Sequence, residues 1–276
     1  MTRPAFLTAL PNRAVIEITG ADARTFLQRV ITKGPAGLEP GRAQFSALLT
    51  PQGKVLADFF LFDNGEGGLF IDLPASEADA LLKRLSLYRL RADASIVPRT
   101  DLAVAQARGE GEAELATLAL AISPDPRSAH MGQRAIVPAG GPVDEDEYEA
   151  ARIGEGLPEF GKDYGPAEVF PTDVNQDLMA GIDYKKGCFV GQEVASRMHR
   201  KGGVRKRTVR VSADNALETQ APVSSGETPL GTITSTAGKD ALARVRLDRL
   251  KAALEAGQPV TSGKSALDIT GSLDEL

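Results

Sequence analysis

The 276-residue chain carries 32 Lys and Arg against 37 Asp and Glu, a formal net charge of −5, so no general attraction draws it to nucleic acid and none is expected as a partner. Hydrophobic residues at 42% and charged residues at 25% lie close to the globular average, which excludes disorder over long regions and leaves enough apolar side chains for two or three cores. One cysteine and two histidines exclude an internal disulfide scaffold and a closed tetrahedral zinc site, so no permanently bound metal is expected.

Nowhere does an apolar run of about 18 residues occur. The opening MTRPAFLTALPNRAVIEI lacks the charged start and continuous apolar run of a signal peptide. The expectation is a cytoplasmic monomer that makes no use of a membrane.

Along the chain, residues 14–18 predict a strand, and Gly20, Ala21 and Asp22 open a helix with Asp22 as N-cap and Phe26, Leu27 and Val30 on its buried side. Thr50-Pro51-Gln52-Gly53 places Pro and Gly at the second and fourth positions of a type I turn, so residues 47–62 predict a hairpin. A strand follows at 69–73. Ser76 with Asp79 has the form of a capping box before a helix over 77–87, with Leu81, Leu82, Leu85 and Tyr88 at helical spacing. Strands are predicted at 94–97, 102–107 and 134–137, with a helix over 113–121 between the last two. Pro124-Asp125-Pro126 and Ala139-Gly140-Gly141-Pro142 mark loops. The acidic run from Asp144 feeds a helix ending near Gly154 or Gly156, and a long Gly- and Pro-rich connection runs on to Pro171. Another helix begins at Gly191. Beyond Arg207, short strands at 208–211, 230–235, 241–247 and 259–261 predict a small β-barrel. The mixed order of elements predicts an α+β fold, with two interleaved α+β subdomains over 1–205 and a barrel domain over 206–276.

Four features carry candidate chemistry. Cys188 follows Lys185 and Lys186, and neighbouring positive charge favours the thiolate, the form that attacks electrophiles and ligates metals. The structural alternative is a lone cysteine packed as a small hydrophobe. Asp58 interrupts Val55-Leu56-Ala57-Asp58-Phe59-Phe60, and alternation puts it on the face of Leu56 and Phe60. A carboxylate buried there needs a cation, hydrogen-bond donors or a ligand. Gln192 and Glu193 offer an amide and a carboxylate to a heteroaromatic ligand, while Glu193 with Arg197 four residues on equally suits plain helix support. Arg197, Arg200, Lys201, Arg205, Lys206, Arg207 and Arg210 crowd around Gly202 and Gly203, as a solvated loop or as a patch for an anionic partner.

The stretch KKGCFVGQE, preceded by ARIGEGLPEFG and FPTDVNQD and followed by RMHRKGGVRKR, resembles the YgfZ branch of the glycine-cleavage T-protein-like superfamily, whose hallmark is KGC, an aromatic residue, one variable position and GQE. GADARTFLQRVIT, LLTPQGKVLADFFLF and LYRLRADASIV resemble the family's N-terminal segments, and PLGTITSTAGKDALARVRL its C-terminal barrel. Nearly the whole chain is covered. The resemblance implies a three-domain ring, with ferredoxin-like, antiparallel-sheet N-terminal domains and a small C-terminal β-barrel, around a central hole that binds tetrahydrofolate or a derivative. It places Asp58 at the folate-side carboxylate and Asp173 with Asn175 near the pterin, Asp173 being one methylene shorter than the Glu that relatives often carry. Tyr88, Arg91, Lys186, Gln192, Glu193 and Arg197 are then further folate contacts, and Cys188 is the functional thiol. The implied role is assembly or repair of iron-sulfur proteins, with client enzymes as partners. For mitochondrial relatives, which share the RKR ending, it is late assembly of 4Fe-4S clusters with A-type carrier proteins.

Two other functions stay open at this point. A folate-dependent aminomethyltransferase would centre on Asp58, as in the wider superfamily. An RNA-binding module would use the basic run from Arg197 to Arg210, although aromatic residues, which serve such proteins as stacking platforms, make up only 5% of the chain.

Overall fold

Alternating apolar residues set the first strands of the structure, a computed structural model that describes residues 3–200 and 204–270. β1 (Phe6–Ala9) and β2 (Arg13–Thr19) lead to α1 (Ala23–Gln28), which buries Phe26 and Leu27 as their spacing predicts. Asp22 stands at the N-cap position without capping. Its carboxylate instead accepts the Asp93 backbone N–H at 2.9 Å, tying the helix start to a distant loop. The predicted hairpin is formed by β3 (Ala43–Leu49) and β4 (Val55–Asp63), paired antiparallel. β3 begins earlier than expected because all of its residues are buried, so no polar alternation marks its start. β5 (Leu69–Pro74), α2 (Ala78–Arg89) and β6 (Ser95–Pro98) follow. The capping box at Ser76 is not made: a 3-10 turn over Ala75–Glu77 leads into α2, and no side chain caps it.

β7 (Leu102–Arg108), α3 (Gly111–Leu118), β8 (Ala121–Pro124) and β9 (Gln133–Pro138) form the next unit. α3 stops short of its predicted end because the chain turns at Ala119 into β8, an edge strand too short to show a period. Two antiparallel sheets result, ordered β3-β4-β5-β2-β6 and β1-β7-β9-β8. They pack face to face on Phe6, Phe45, Phe60, Phe62 and Phe70 together with Val104 and Ile136. Each such buried aromatic contributes roughly 1.5–3 kcal/mol through apolar area removed from water. α1 and α2 cover the outer face of the first sheet through Leu27, Leu81 and Leu85. α3 covers that of the second through Leu115.

α4 (Glu145–Gly154) starts in the acidic run, as its charge predicts, and lies against β1 and the C-terminal sheet. α5 (Gln192–Arg200) is the helix of the GQE segment. Then come β10 (Lys206–Ser212), β11 (Pro222–Ser225), β12 (Thr228–Ala237), β13 (Asp240–Arg246), α6 (Leu247–Glu255), β14 (Thr261–Ser262), β15 (Ser265–Ala266) and β16 (Asp268–Thr270). The seven strands make a nearly closed barrel in the order β15-β14-β11-β12-β13-β10-β16. α6 is an addition to the sequence reading: Leu247, taken there as the end of a strand, instead starts a helix that buries Leu250 and Ala253. β11 and β14 to β16 have two to four residues each, too few for periodicity to reveal. No described helix is long and apolar enough to cross a membrane.

Candidate functional site

Two glycines bring the hairpin turn and the cysteine segment together. Gly53 and Gly191 both hold positive φ, +80° and +78°. A Cβ on Gly191 would lie 2.6 Å from the Thr50 carbonyl oxygen, and one on Gly53 would lie 2.8 Å from Val194 Cβ. Only glycine allows this backbone approach. Phe189 then inserts into a cluster with Leu49, Val55, Tyr164 and Val174, so the exposed thiol of Cys188 is carried on the same core that holds Tyr164. Thr32 adds a polar tie: its hydroxyl accepts the Ala47 N–H at 2.8 Å and donates to the Gly181 carbonyl at 2.7 Å. Tyr184 stacks on His199 with ring centroids 3.9 Å apart, fixing the segment before Cys188 to the end of α5.

Asp58 is buried, 3% exposed, and accepts a hydrogen bond from the Tyr164 hydroxyl. Burial pushes its carboxyl up to about 6, with the Tyr164 bond and the charges of Arg13 and Arg127 opposing the rise and Glu159 adding to it. The Gln176 carboxamide lies beside the Tyr164 hydroxyl. Gln176 is fully buried, and apart from that neighbouring hydroxyl neither its nitrogen nor its oxygen meets a hydrogen-bonding group.

Asp58 borders a buried ionic seam. Three guanidinium groups, those of Arg134, Arg127 and Arg13, lie over the Phe60 ring at 4.1, 4.8 and 5.6 Å from its centroid. Asp72 accepts from Arg13 at 2.6 Å and from Arg134 at 2.5 Å, and Asp125 accepts from Arg127 at 2.8 Å. Tyr148 donates to Glu159 at 2.6 Å. Burial works against the Glu159 charge, but Arg152, Lys162, Arg13 and Arg127 hold its carboxyl down at about 2. Arg152 donates to Asp163 and to Ser235 of the barrel at 2.8 Å each, and Asp163 accepts from Thr234 at 2.5 Å.

The expected folate contacts divide. Asp58, Asp173 and Asn175 are buried. Asp173 uses one carboxylate oxygen to accept the Phe170 N–H at 3.0 Å, closing the turn over Pro171–Val174. Burial raises its pKa. Asn175 takes φ 60° and donates to the Thr208 carbonyl of β10 at 2.8 Å. Tyr88 packs with the core that contains Leu81, Leu85 and Phe59, on the opposite face of the first sheet from Phe60, and Arg91 is exposed beyond it. The sheet therefore separates Tyr88 from Asp58. A bulge at Leu48/Leu49 turns Leu56 to the helix-covered face, so Asp58 shares the face of Phe60 but not that of Leu56.

Lys186 donates its Nζ to the Gln28 carbonyl and lies over the Phe189 ring; burial draws it down to about 8. Gln192 opens α5 half-buried, while Glu193 and Arg197 are exposed and form no ion pair with each other. The basic run is thinner than its sequence: Arg207 is buried against Asp177 at 2.5 and 2.8 Å, and Arg210 donates to the Gly154 carbonyl. Lys201, Gly202 and Gly203 lie outside the described residues. Sequence reasoning missed Tyr164, Gln176, Arg13 and Arg127. Gln176 stands within FPTDVNQD and Tyr164 within the aperiodic connection, where no spacing marks a side chain as buried.

Three sheets in this arrangement define the class. The structure matches the crystal structure of glycine cleavage system aminomethyltransferase T from Bartonella henselae with a TM-score of 0.78, over 99% of this chain and 86% of that one, at 19% identity. The fold is that of the T-protein. Residues 205–270 match the family model described as CAF17, C-terminal beta-barrel domain. The human protein named iron-sulfur cluster assembly factor IBA57, mitochondrial, is 32% identical over 258 residues, 83% of this chain and 71% of its own length. The mouse protein of that name is 30% identical, over 86% of this chain and 73% of its own. The chain belongs to the IBA57 family. It spans only 57% of the length of the Mycosarcoma maydis homologue, at 30% identity. The relatives are named as mitochondrial, which overturns the cytoplasmic expectation. That expectation rested on the lack of a long apolar run and of a signal-peptide-like start, which bear on membrane insertion and secretion and not on the choice between cytoplasm and mitochondrion.

Proposed function

We propose that this chain acts in iron-sulfur cluster assembly, holding a reduced folate at Asp58 and presenting Cys188 to a partner. Membership of the IBA57 family supports the assembly role. One observation carries the folate reading: of seven buried side-chain polar atoms without a partner among the described residues, five come from Thr172, Asn175, Gln176 and Tyr184. Each costs roughly 1–3 kcal/mol if left unsatisfied. A pterin carries ring N–H, amino and carbonyl groups side by side, and acceptors and donors of these kinds, with the Asp58 carboxylate, are the chemistry it requires. A reduced folate, when bound, supplies nitrogen atoms able to carry a one-carbon unit. The chain's own part is to accept the pterin N–H groups on Asp58, with Tyr164 fixing that carboxylate's orientation.

Cys188 is exposed beside Lys185 and Lys186 and serves as a transient ligand or redox group. A single thiol cannot hold a cluster, so A-type carriers and client enzymes supply the other ligands. The test is titration of tetrahydrofolate into wild type, Asp58→Ala, Gln176→Leu and Cys188→Ala. Binding should be lost in the first variant, weakened in the second and kept in the third. It should also weaken about tenfold per pH unit below about 6, as Asp58 takes up its proton. In oxidant-stressed cells, Cys188→Ala should lose iron-sulfur enzyme activity at normal protein level. Folate binding that ignores Asp58 would end the pocket reading, and unchanged enzyme activity would end the thiol reading. The T-protein fold also favours a second reading, aminomethyl transfer, which ammonia and methylene-folate release from an aminomethyl-lipoyl carrier would establish.

A further inference from the structure

Away from Asp58, the second sheet carries an apolar cavity that the reading above does not use. It has a volume of about 260 Å³ and opens between α3 and the loop after β9, lined by Leu7, Ala105, Leu115, Leu118, Val137 and Pro142. The loop wall is held in place: Ala9 N–H donates to the Pro142 carbonyl at 2.7 Å, and Ala139 N–H to the Asp101 carbonyl at 2.9 Å. Leu118 at its rim is 49% exposed, and Val143 just past the loop 58%. Leaving these side chains in water forgoes the gain their burial would bring.

Four carboxylates flank the lining positions along the chain. Glu110 and Glu114 belong to the α3 side, with Glu114 one helical turn before Leu118, and Asp144 and Asp146 follow Pro142 on the other. All four are exposed, and among the described residues none forms an ion pair. An anionic membrane surface is repelled by such a rim. An apolar groove between unpaired carboxylates instead fits a peptide with apolar side chains one helical turn apart and Lys or Arg on either side.

We propose that this groove docks a basic amphipathic segment of a partner protein, with the apolar side chains in the cavity and the basic ones on Glu110, Glu114, Asp144 and Asp146. The proposal is independent of the folate pocket and of Cys188. It is tested by selecting binders from a random displayed-peptide library on the full chain, with counter-selection on Ala139→Trp. Ala139 is exposed and lines the cavity, so the indole fills the groove without entering a core. The expected winners are net-positive with apolar residues three or four apart. Fluorescence anisotropy should show them losing about tenfold in affinity on Ala139→Trp and on Glu114→Lys/Asp144→Lys/Asp146→Lys, and weakening with salt. Ala139→Trp should keep wild-type thermal unfolding, the Lys variant should lose only the small contribution of its acids at the start of α4, and both should keep tetrahydrofolate binding, which separates failure of this proposal from failure of the folate reading. Winners that are acidic or neutral, winners indifferent to Ala139→Trp, or no winners at all would overturn it, as would selective binding of a small apolar ligand alone.

Discussion

Asp58 costs the fold stability wherever it is charged. Its pKa is raised from 3.8 to about 6 by burial, so between those values the folded chain binds the proton more tightly than the unfolded one. The stabilisation this proton brings is full below about pH 4 and is lost as pH rises through about 6. Asp58→Asn keeps an acceptor for Tyr164 and removes the charge. The variant should therefore be more stable than wild type at pH 7–8, by on the order of 2–3 kcal/mol, and the gap should close near pH 4. Urea unfolding across that range measures it, and a gap that does not change with pH would show that the carboxyl titrates normally. Carboxylates held in this way are enriched at ligand sites, which is in keeping with the proposal made for Asp58. Asp58 could be singled out in the sequence because an acid inside an aromatic strand is conspicuous. Tyr164 and Gln176 could not, because each lies in aperiodic chain whose burial depends on what packs over it.

Among elements, the contact between the hairpin turn and the start of α5 is the joint on which the cysteine segment depends. A methyl on Gly191 would meet the Thr50 carbonyl at 2.6 Å and would also have to tolerate φ +78°. Gly191→Ala should cost about 2–4 kcal/mol and open the segment around Cys188 to proteolysis. Gly187 has ordinary φ and nothing within 4 Å of its would-be Cβ, so Gly187→Ala should stay within about 0.5 kcal/mol of wild type. Thermal unfolding and limited proteolysis of the pair distinguish a backbone joint from a general intolerance of the motif. The hairpin and the helix were each legible, from TPQG turn chemistry and from the residues after Gly191. Their contact was not, because Thr50 and Gly191 lie 141 positions apart and no local signal spans that distance.

At the scale of the molecule, the ionic seam joins α4 and the connection after it to the barrel. Arg152 has no exposed side-chain surface and is shared by Glu149, Asp163 and Ser235. Arg152→Met would leave Asp163 buried without its cation and should cost about 3–5 kcal/mol, while Arg152→Met with Asp163→Asn should recover part of the loss. Chemical denaturation measures both, and a double variant no better than the single one would place the seam's value in packing instead of charge.

The sequence by itself determined the α+β class, the hairpin, the helices that begin near Gly20, Ser76, Asp144 and Gly191, the C-terminal barrel, and the two residues on which function is proposed to turn, Cys188 and Asp58. These depend on turn chemistry, on periodicity and on residues out of place in their surroundings, all of which act within a few positions. Only the tertiary structure decided that the first sheet parts Tyr88 from Asp58, that Arg207 and Arg210 turn inward, that Lys186 is tied to Gln28, and that unpaired polar atoms gather between Thr172 and Tyr184. Burial and charge pairing are properties of what comes together from distant parts of the chain, and no window of sequence contains both halves of such a contact.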